Sequence, residues 1–206
     1  MTTDDPWLAI PADDYEAHMR TVGQSAVLRA AFARVYSVLR PKRLAVLGCT
    51  TGDDLRLVDP AVTELAVGVD LNPAYLAIAR ERAAPLGPRL RLIEGDVLRV
   101  ELPGELELVH AALLLEYVDP LSLFRRALGW LGPRGVLSVV TQEPAGEQPS
   151  VSDTPYASLR ALAPRMRVRP ADQIAALARH CGFKLVGEPL AAPVGGKSLV
   201  SSWFGR

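Results

Sequence analysis

LAVLGCTTGDDLRLVDPAVTELAVGVD, residues 44–70, decides the fold. Leu44 to Gly48 is a short apolar run closed by a glycine, and Glu64 to Asp70 is a second run closed by an acid. Between them lie about twenty residues, enough for one crossover with a short helix opening at Asp53 and Asp54, so the stretch predicts a β-α-β unit. Neither run alternates apolar with polar residues, which suits strands buried on both faces of a parallel sheet.

Working outward, the alternation continues. Leu28, Phe32, Val35 and Leu39 recur at helical spacing and put one apolar stripe on a helix that ends near Arg40, because Pro41 disfavours helical geometry before it. Downstream come a helix after Asn72, strands at Arg89–Asp96 and Glu105–Ala111, a helix over Pro120–Leu131, a strand at Gly135–Thr141 and a helix over Ala171–His180 closed by Gly182. The last two runs, FKLVGE and KSLVSSWF, are expected to pair antiparallel around the turn at residues 193–196. The expectation is a doubly wound, mainly parallel α/β sheet of seven strands with an antiparallel last strand, over residues 41–206, preceded by a helical segment at residues 1–40. The first ten residues show no period and are expected to be frayed or loosely docked, and residues 142–155 read as a Pro, Gly and Gln-rich connection.

Composition narrows the function. Of 206 residues 49% are hydrophobic, so a full core can be buried. Twenty-three basic side chains balance 23 acidic ones, which removes any general field for nucleic acid or an anionic membrane. No apolar run approaches the roughly 20 residues needed to span a bilayer and the acidic start is no signal peptide, so a cytoplasmic protein is expected. Cys49 and Cys181 are too few for a disulfide framework or a zinc site, and no metal is expected.

In a doubly wound sheet ligands gather at the carboxyl ends of the strands. Strand one ends in Gly48, Cys49, Thr50, Thr51 and Gly52, small residues that let backbone approach a ligand. Strand two ends in Asp70, whose carboxylate can accept from the two hydroxyls of a ribose. Strand three ends in Gly95 and Asp96, an acid that can accept from a purine amine. Asn72, followed by Pro73, caps the next helix and leaves Asp70 for the ligand. Three strand ends thus describe an adenosine. The acids Asp53 and Asp54 at the first crossover would repel a pyrophosphate, which favours a methyl donor carrying a sulfonium over a dinucleotide.

The ordered motifs LGCTTGD, VGVDLNP, IEGDV, LELVHAALLLEYVDP, WLGPRGVLSVV and KSLVSSWF resemble the class I S-adenosylmethionine-dependent methyltransferases over residues 40–206. Val46 stands where the family usually has an acid, Thr50 where it has a middle glycine, and Glu116 where many small-molecule members have a histidine. The resemblance implies a Rossmann-like methyltransferase fold and S-adenosyl-L-methionine held by Gly48, Cys49, Thr50, Gly52, Asp70, Leu71, Gly95, Asp96 and Val97. The acceptor is expected to be a small molecule. Base-methylating enzymes of this fold carry Asn or Asp, two prolines and an aromatic after strand four, where this chain has HAALLLEY. A non-catalytic module that binds the same cofactor and pairs with another protein is the competing reading.

The catalytic candidates are His110, which faces either the cofactor or the core, and Glu116, which is either a base at the mouth or a helix-start residue. Cys49 reads as a small apolar wall. Residues 11–26, with Asp14, Tyr15, His18 and Met19 on neighbouring helix positions, are expected to form a lid or to pack on the sheet. Arg165, Arg167 and Arg169 alternate along an extended segment that either binds an anion or is solvated.

Overall fold

Leu44, Ala45, Val46 and Leu47 are each almost wholly buried, and strand β1 (Arg43–Leu47) lies near the middle of the sheet. It pairs in parallel with β2 (Leu65–Asp70) on one side and β4 (Leu106–Ala112) on the other. The computed structural model describes residues 5–144 and 154–206. Strand β3 (Leu90–Glu94) follows β2 at one edge, and β5 (Leu131–Gln142) follows β4. Strand β8 (Lys197–Gly205) runs antiparallel to β5. The chain fills β1, β2, β3 in one direction and then restarts at β4 on the other side of β1. The crevice between the carboxyl ends of β1 and β4 is therefore the topological switch point.

The far side of β8 is shared. Strand β6 (Lys184–Leu185) pairs with its end at Phe204 and Gly205, while β7 (Leu190–Val194) pairs with its start through Ser201. The sheet thus has eight strands at seven positions, where one partner strand was expected from FKLVGE. Gly195 and Gly196, both at positive φ, close a tight hairpin between β7 and β8, and that turn sits too close to β8 for FKLVGE to be the other arm.

Two helical layers cover the sheet. Helix α2 (Gln24–Leu39) contributes Phe32 and Val35, and α3 (Pro73–Arg82) contributes Leu76, to a core with Leu44, Val46 and Leu108. Helices α4 (Pro120–Trp130) and α6 (Ala171–His180) pack Phe124, Ala127, Ile174 and Ala178 on the opposite face. Within the segment 1–40, then, α2 belongs to the body of the sheet. Helix α1 (Ala12–Thr21) lies over the carboxyl edge beside the short α5 (Ala157–Arg160), where Ile10, Leu159 and Leu162 form a small separate core. Residues 5–10 are docked rather than frayed: Pro6–Leu8 form a 3₁₀ turn, and Trp7 packs edge-on against Tyr15 and Tyr117. Of the connection at residues 142–155, residues 145–153 lie outside the described residues.

The crossover after β1 differs from expectation. In place of a helix opening at Asp53 there is one 3₁₀ turn, Leu55–Leu57, because Pro60 prevents a longer one. The compact crossover brings Gly52, at φ 84°, against α3, and a Cβ there would lie 2.8 Å from the backbone of Ala79. Gly52→Ala combines a strained φ with a clash against helix backbone and is expected to cost about 2–4 kcal/mol of unfolding free energy in urea denaturation.

Candidate functional site

The loop after β1 is held by backbone and by one carboxylate. Cys49 N–H donates to the Val69 carbonyl at 3.0 Å, and Thr50 N–H donates to Asp70 Oδ2 at 2.8 Å. Asp70 Oδ1 accepts the Asn72 N–H at 2.9 Å. Burial pushes the Asp70 carboxyl up, and the amides of Asn72, Thr50 and Leu71 hold it down in opposition. Gly48 takes φ 64° and Thr50 takes φ 45°, so Thr50 adopts the left-handed geometry that a glycine would take without strain. Asn72 caps α3 as expected, its Oδ1 accepting from Ala74 N–H at 3.0 Å, and its Nδ2 donates to the Trp7 carbonyl at 2.9 Å.

At the end of β3 the Gly95 N–H donates to the Asp70 carbonyl at 2.9 Å, and a Cβ on Gly95 would lie 2.6 Å from Val100. Asp96 turns one oxygen to the Leu98 N–H at 2.8 Å and the other toward Arg99 at 3.5 Å.

Helix α1 closes over these strand ends. Glu16 accepts from the Thr51 hydroxyl at 2.6 Å and from Arg82 of α3 at 2.5 Å, and Arg82 also reaches Thr51 at 2.9 Å. These bonds to Arg82 and Thr51 hold the Glu16 carboxyl below its ordinary range against a smaller cost of burial. Asp14 accepts from Ser158 of α5 at 2.7 Å. Tyr15 packs on Tyr75 at 5.7 Å and faces the same cavity as Thr50, while burial raises its hydroxyl pKa.

Beneath α1 runs a cavity of about 530 Å³, within the size range of small-molecule sites. Gly48, Thr50, Asp70, Leu71, Gly95, Asp96 and Val97 face it. Cys49 and Gly52 do not: the thiol is buried against Gly68, which pushes its pKa well up, and Gly52 serves the approach of α3.

The two catalytic candidates are also elsewhere. His110 is wholly buried on the α2 face of β4, its ring edge-on to Phe32 at 5.2 Å and its Nδ1 3.1 Å from Ser138 Oγ. Burial pushes its pKa down to about 4, and Asp54, itself pushed up to about 7 by burial, lies 3.7 Å from Nε2. Glu116 is buried behind the cavity wall. Its Oε1 accepts the Gln142 N–H at 2.8 Å, its carbonyl accepts the Arg167 N–H at 2.7 Å, and its Oε2 has no partner. The neighbours Tyr117 and Gln142 face the cavity in its place.

The three arginines do not share one face. Arg165 pairs with Asp5 at 3.2 Å, Arg167 donates to the Pro164 carbonyl, and Arg169 donates to the Leu115 carbonyl. Sequence reasoning missed Trp7, Gln24, Gln142, Leu159, Leu162 and Met166. Gln142 ends β5 and was open to the strand-end rule; the others reach the cavity through long-range packing that leaves no local pattern. Among the described residues no group of three or more His, Cys, Asp or Glu side chains is gathered for a metal ion, and no helix is long and apolar enough to cross a membrane.

Residues 45–135 match the profile of a family described as methyltransferase domain. No curated protein matches the chain. An S-adenosylmethionine-dependent methyltransferase from Mesorhizobium loti superposes with a TM-score of 0.63 at 20% identity, over 80% of this chain and 90% of that one. N-methyltransferase NodS from Bradyrhizobium japonicum, in complex with S-adenosyl-L-homocysteine, gives 0.65 at 16% identity over 100% and 93%. The pyocyanin biosynthetic protein PhzM gives 0.66 at 18% over 97% of this chain but 60% of its own length. Residues 45–135 thus match a methyltransferase-domain family that uses S-adenosyl-L-methionine, and the chain has the class I, Rossmann-like fold of the methyltransferases on which it superposes.

Proposed function

We propose that this chain transfers a methyl group from S-adenosyl-L-methionine to a small-molecule acceptor. The observation that carries the reading is the single cavity running from the ends of β1, β2 and β3 to the underside of α1. The residues present fit the donor. Asp70 and Asp96 keep lone pairs for a ribose and an adenine amine, Gly48 leaves the first loop open to close approach, and Leu71 and Val97 supply apolar walls. When bound, the donor presents a methyl carbon on a positively charged sulfur. This chain's contribution is to orient the donor, exclude water and hold the acceptor in line, for which positioning supplies much of the rate. Residues 11–26 act as the lid, tied through Glu16 to Thr51 and Arg82. The balanced charge speaks against nucleic acid as the acceptor. The free thiols Cys49 and Cys181 suit the reducing cytoplasm.

Glu116 is read as a positioning residue that fastens the segment after β4 to the end of β5, and His110 as a buried neutral ring of the core.

Calorimetry is expected to give micromolar binding of S-adenosyl-L-homocysteine. Asp70→Ala should lower that affinity at least tenfold, since hydrogen bonds to a charged group are worth about 1.5–3 kcal/mol each. Unchanged affinity in the folded variant would remove Asp70 from the ribose site. Labelled donor with a small-metabolite extract should yield labelled product; binding without product would favour the non-catalytic module. Hydrogen exchange over residues 11–26 should slow when the ligand is added, and equal rates with and without it would make α1 a packing helix.

Burial pushes the Glu116 carboxyl up to about 7, against the opposing Gln142 amide. A raised folded-state pKa contributes stability below the unfolded value that is lost as pH rises through 7, amounting to about 2 kcal/mol between pH 5 and pH 8. Glu116→Gln keeps an acceptor for the Gln142 N–H and should flatten that dependence. Parallel pH–stability curves for the two proteins would show that Glu116 ionises freely.

A further inference from the structure

The cavity has two unlike halves. Over the ends of β1, β2 and β3 it is lined by strand-end acids and backbone. Toward the ends of β4 and β5 it is lined by His18 and Met19 from α1, Gln24 and Leu28 from α2, Leu159 from α5 and Leu162 just after it. None of these six carries a charge when His18 is neutral. The charged side chains that reach the cavity are engaged elsewhere: Asp70 by the amides of Thr50 and Asn72, Asp96 with Arg99, Asp5 with Arg165, and Asp119 as the cap of α4. The acceptor half, among the described residues, offers neither a cation for a carboxylate or phosphate nor a carboxylate for an ammonium.

His18 stands out there. Its residue is 7% exposed, it faces the cavity, and its ring makes no hydrogen bond to any described residue. Neither ring nitrogen is among the buried polar atoms shut off from solvent, so the ring opens onto the cavity and is placed to meet something that enters it. It lies one helical turn beyond Tyr15, and both line the cavity that Thr50 of the first loop also lines. Burial first, and then the charge of Lys197 on the β7–β8 hairpin, push its pKa down and keep the ring neutral, able to accept a proton. The elements α2 and α5 present Gln24, Leu28 and Leu159 to the same space, none of them titratable.

We propose that His18 accepts the proton of the acceptor, and that the acceptor is an uncharged, mainly apolar molecule whose nucleophile is a hydroxyl oxygen. This rests on the methyl-transfer reading. A hydroxyl in an apolar pocket does not ionise unaided, because a buried oxyanion is poorly solvated. The acceptor oxygen bonds to the donor's methyl carbon, the carbon–sulfur bond breaks with its electron pair left on sulfur, and the hydroxyl proton passes to the His18 ring. The buried imidazolium is itself disfavoured, so proton transfer accompanies bond formation rather than preceding it.

The test uses the full chain saturated with S-adenosyl-L-homocysteine and the probe 2-naphthol, with 2-naphthoate and 2-naphthylmethylammonium as charged analogues. The chain has 3 histidines, so imidazole signals can be followed one by one by NMR. The His18 signal is expected to titrate below its ordinary value and to shift on addition of 2-naphthol. Affinity for 2-naphthol should exceed that for either charged analogue at least tenfold, and should weaken as pH falls through the His18 titration. His18→Gln should keep its affinity for S-adenosyl-L-homocysteine, lose about tenfold for 2-naphthol, and lose the pH dependence. A His18 signal unmoved by 2-naphthol in the loaded protein, or charged analogues that bind as well, overturns the proposal while leaving methyl transfer standing. Failure of the wild-type chain to bind S-adenosyl-L-homocysteine is a different result: it overturns the methyl-transfer reading, and the proposal falls with it.

Discussion

One carboxylate organises the strand ends that line the cavity of this protein. Asp70 takes an amide from the loop after β1 on one oxygen and an amide from the turn before α3 on the other. A carboxylate buried at a strand end loses much of its hydration, and charge-assisted bonds to backbone offset that loss. The bond to Thr50 is what allows a β-branched residue to remain at φ 45°, where sterics disfavour it. With Thr50 pinned, Gly48 faces the cavity and Gly52 is pressed against Ala79. The loop is therefore set before any ligand arrives, and little ordering remains to be done on binding.

The half of the cavity beneath α1 is built on another logic. Its roof is carried by α1 and the strap before it, and these are joined to the body through polar contacts and aromatic edges. Glu16 links α1 to Arg82 of α3, and Asn72 ties the carbonyl of Trp7 to the same helix that it caps. Trp7 in turn fits between Tyr15 and Tyr117, joining roof to wall. Helix α3 thus connects the two halves: its first turn is set by Asn72 beside Asp70, and its last turn holds α1 through Arg82 and Glu16. A rigid donor site beneath a roof fastened by partly exposed ion pairs fits a cycle in which the roof, and not the sheet, moves.

Most of the fold was legible because a parallel sheet buried on both faces writes itself as continuous apolar runs. β1, β2, β4 and β5 stand close to where those runs lie, and Asn72, Pro41 and Gly182 punctuate their helices as expected. The same feature hid the catalytic candidates. In a strand apolar on both faces, alternation does not say which face a polar residue takes, and His110 turned out to share the α2 face with Phe32 and Ser138. Glu116 follows β4, but it is buried with one carboxylate oxygen on the Gln142 amide, which only three-dimensional pairing could show. The seven strand-end residues facing the cavity follow from local chemistry; Trp7, Leu159 and Met166 reach it from distant segments and leave no periodic trace.

The divided far edge of the sheet bears on solubility. A long unpaired outer strand is a template for another chain's backbone. Here β6 contributes two residues and β7 five, the latter interrupted by Pro193, which cannot donate to a ladder. At the opposite edge β3 is only five residues long and carries Arg91 and Glu94. Neither margin offers an incoming strand a continuous row of partners, although Leu185, Val186 and Leu190 are all exposed along the β6–β7 side. The protein can leave these apolar side chains in water because the backbone beside them is too broken to recruit a second sheet.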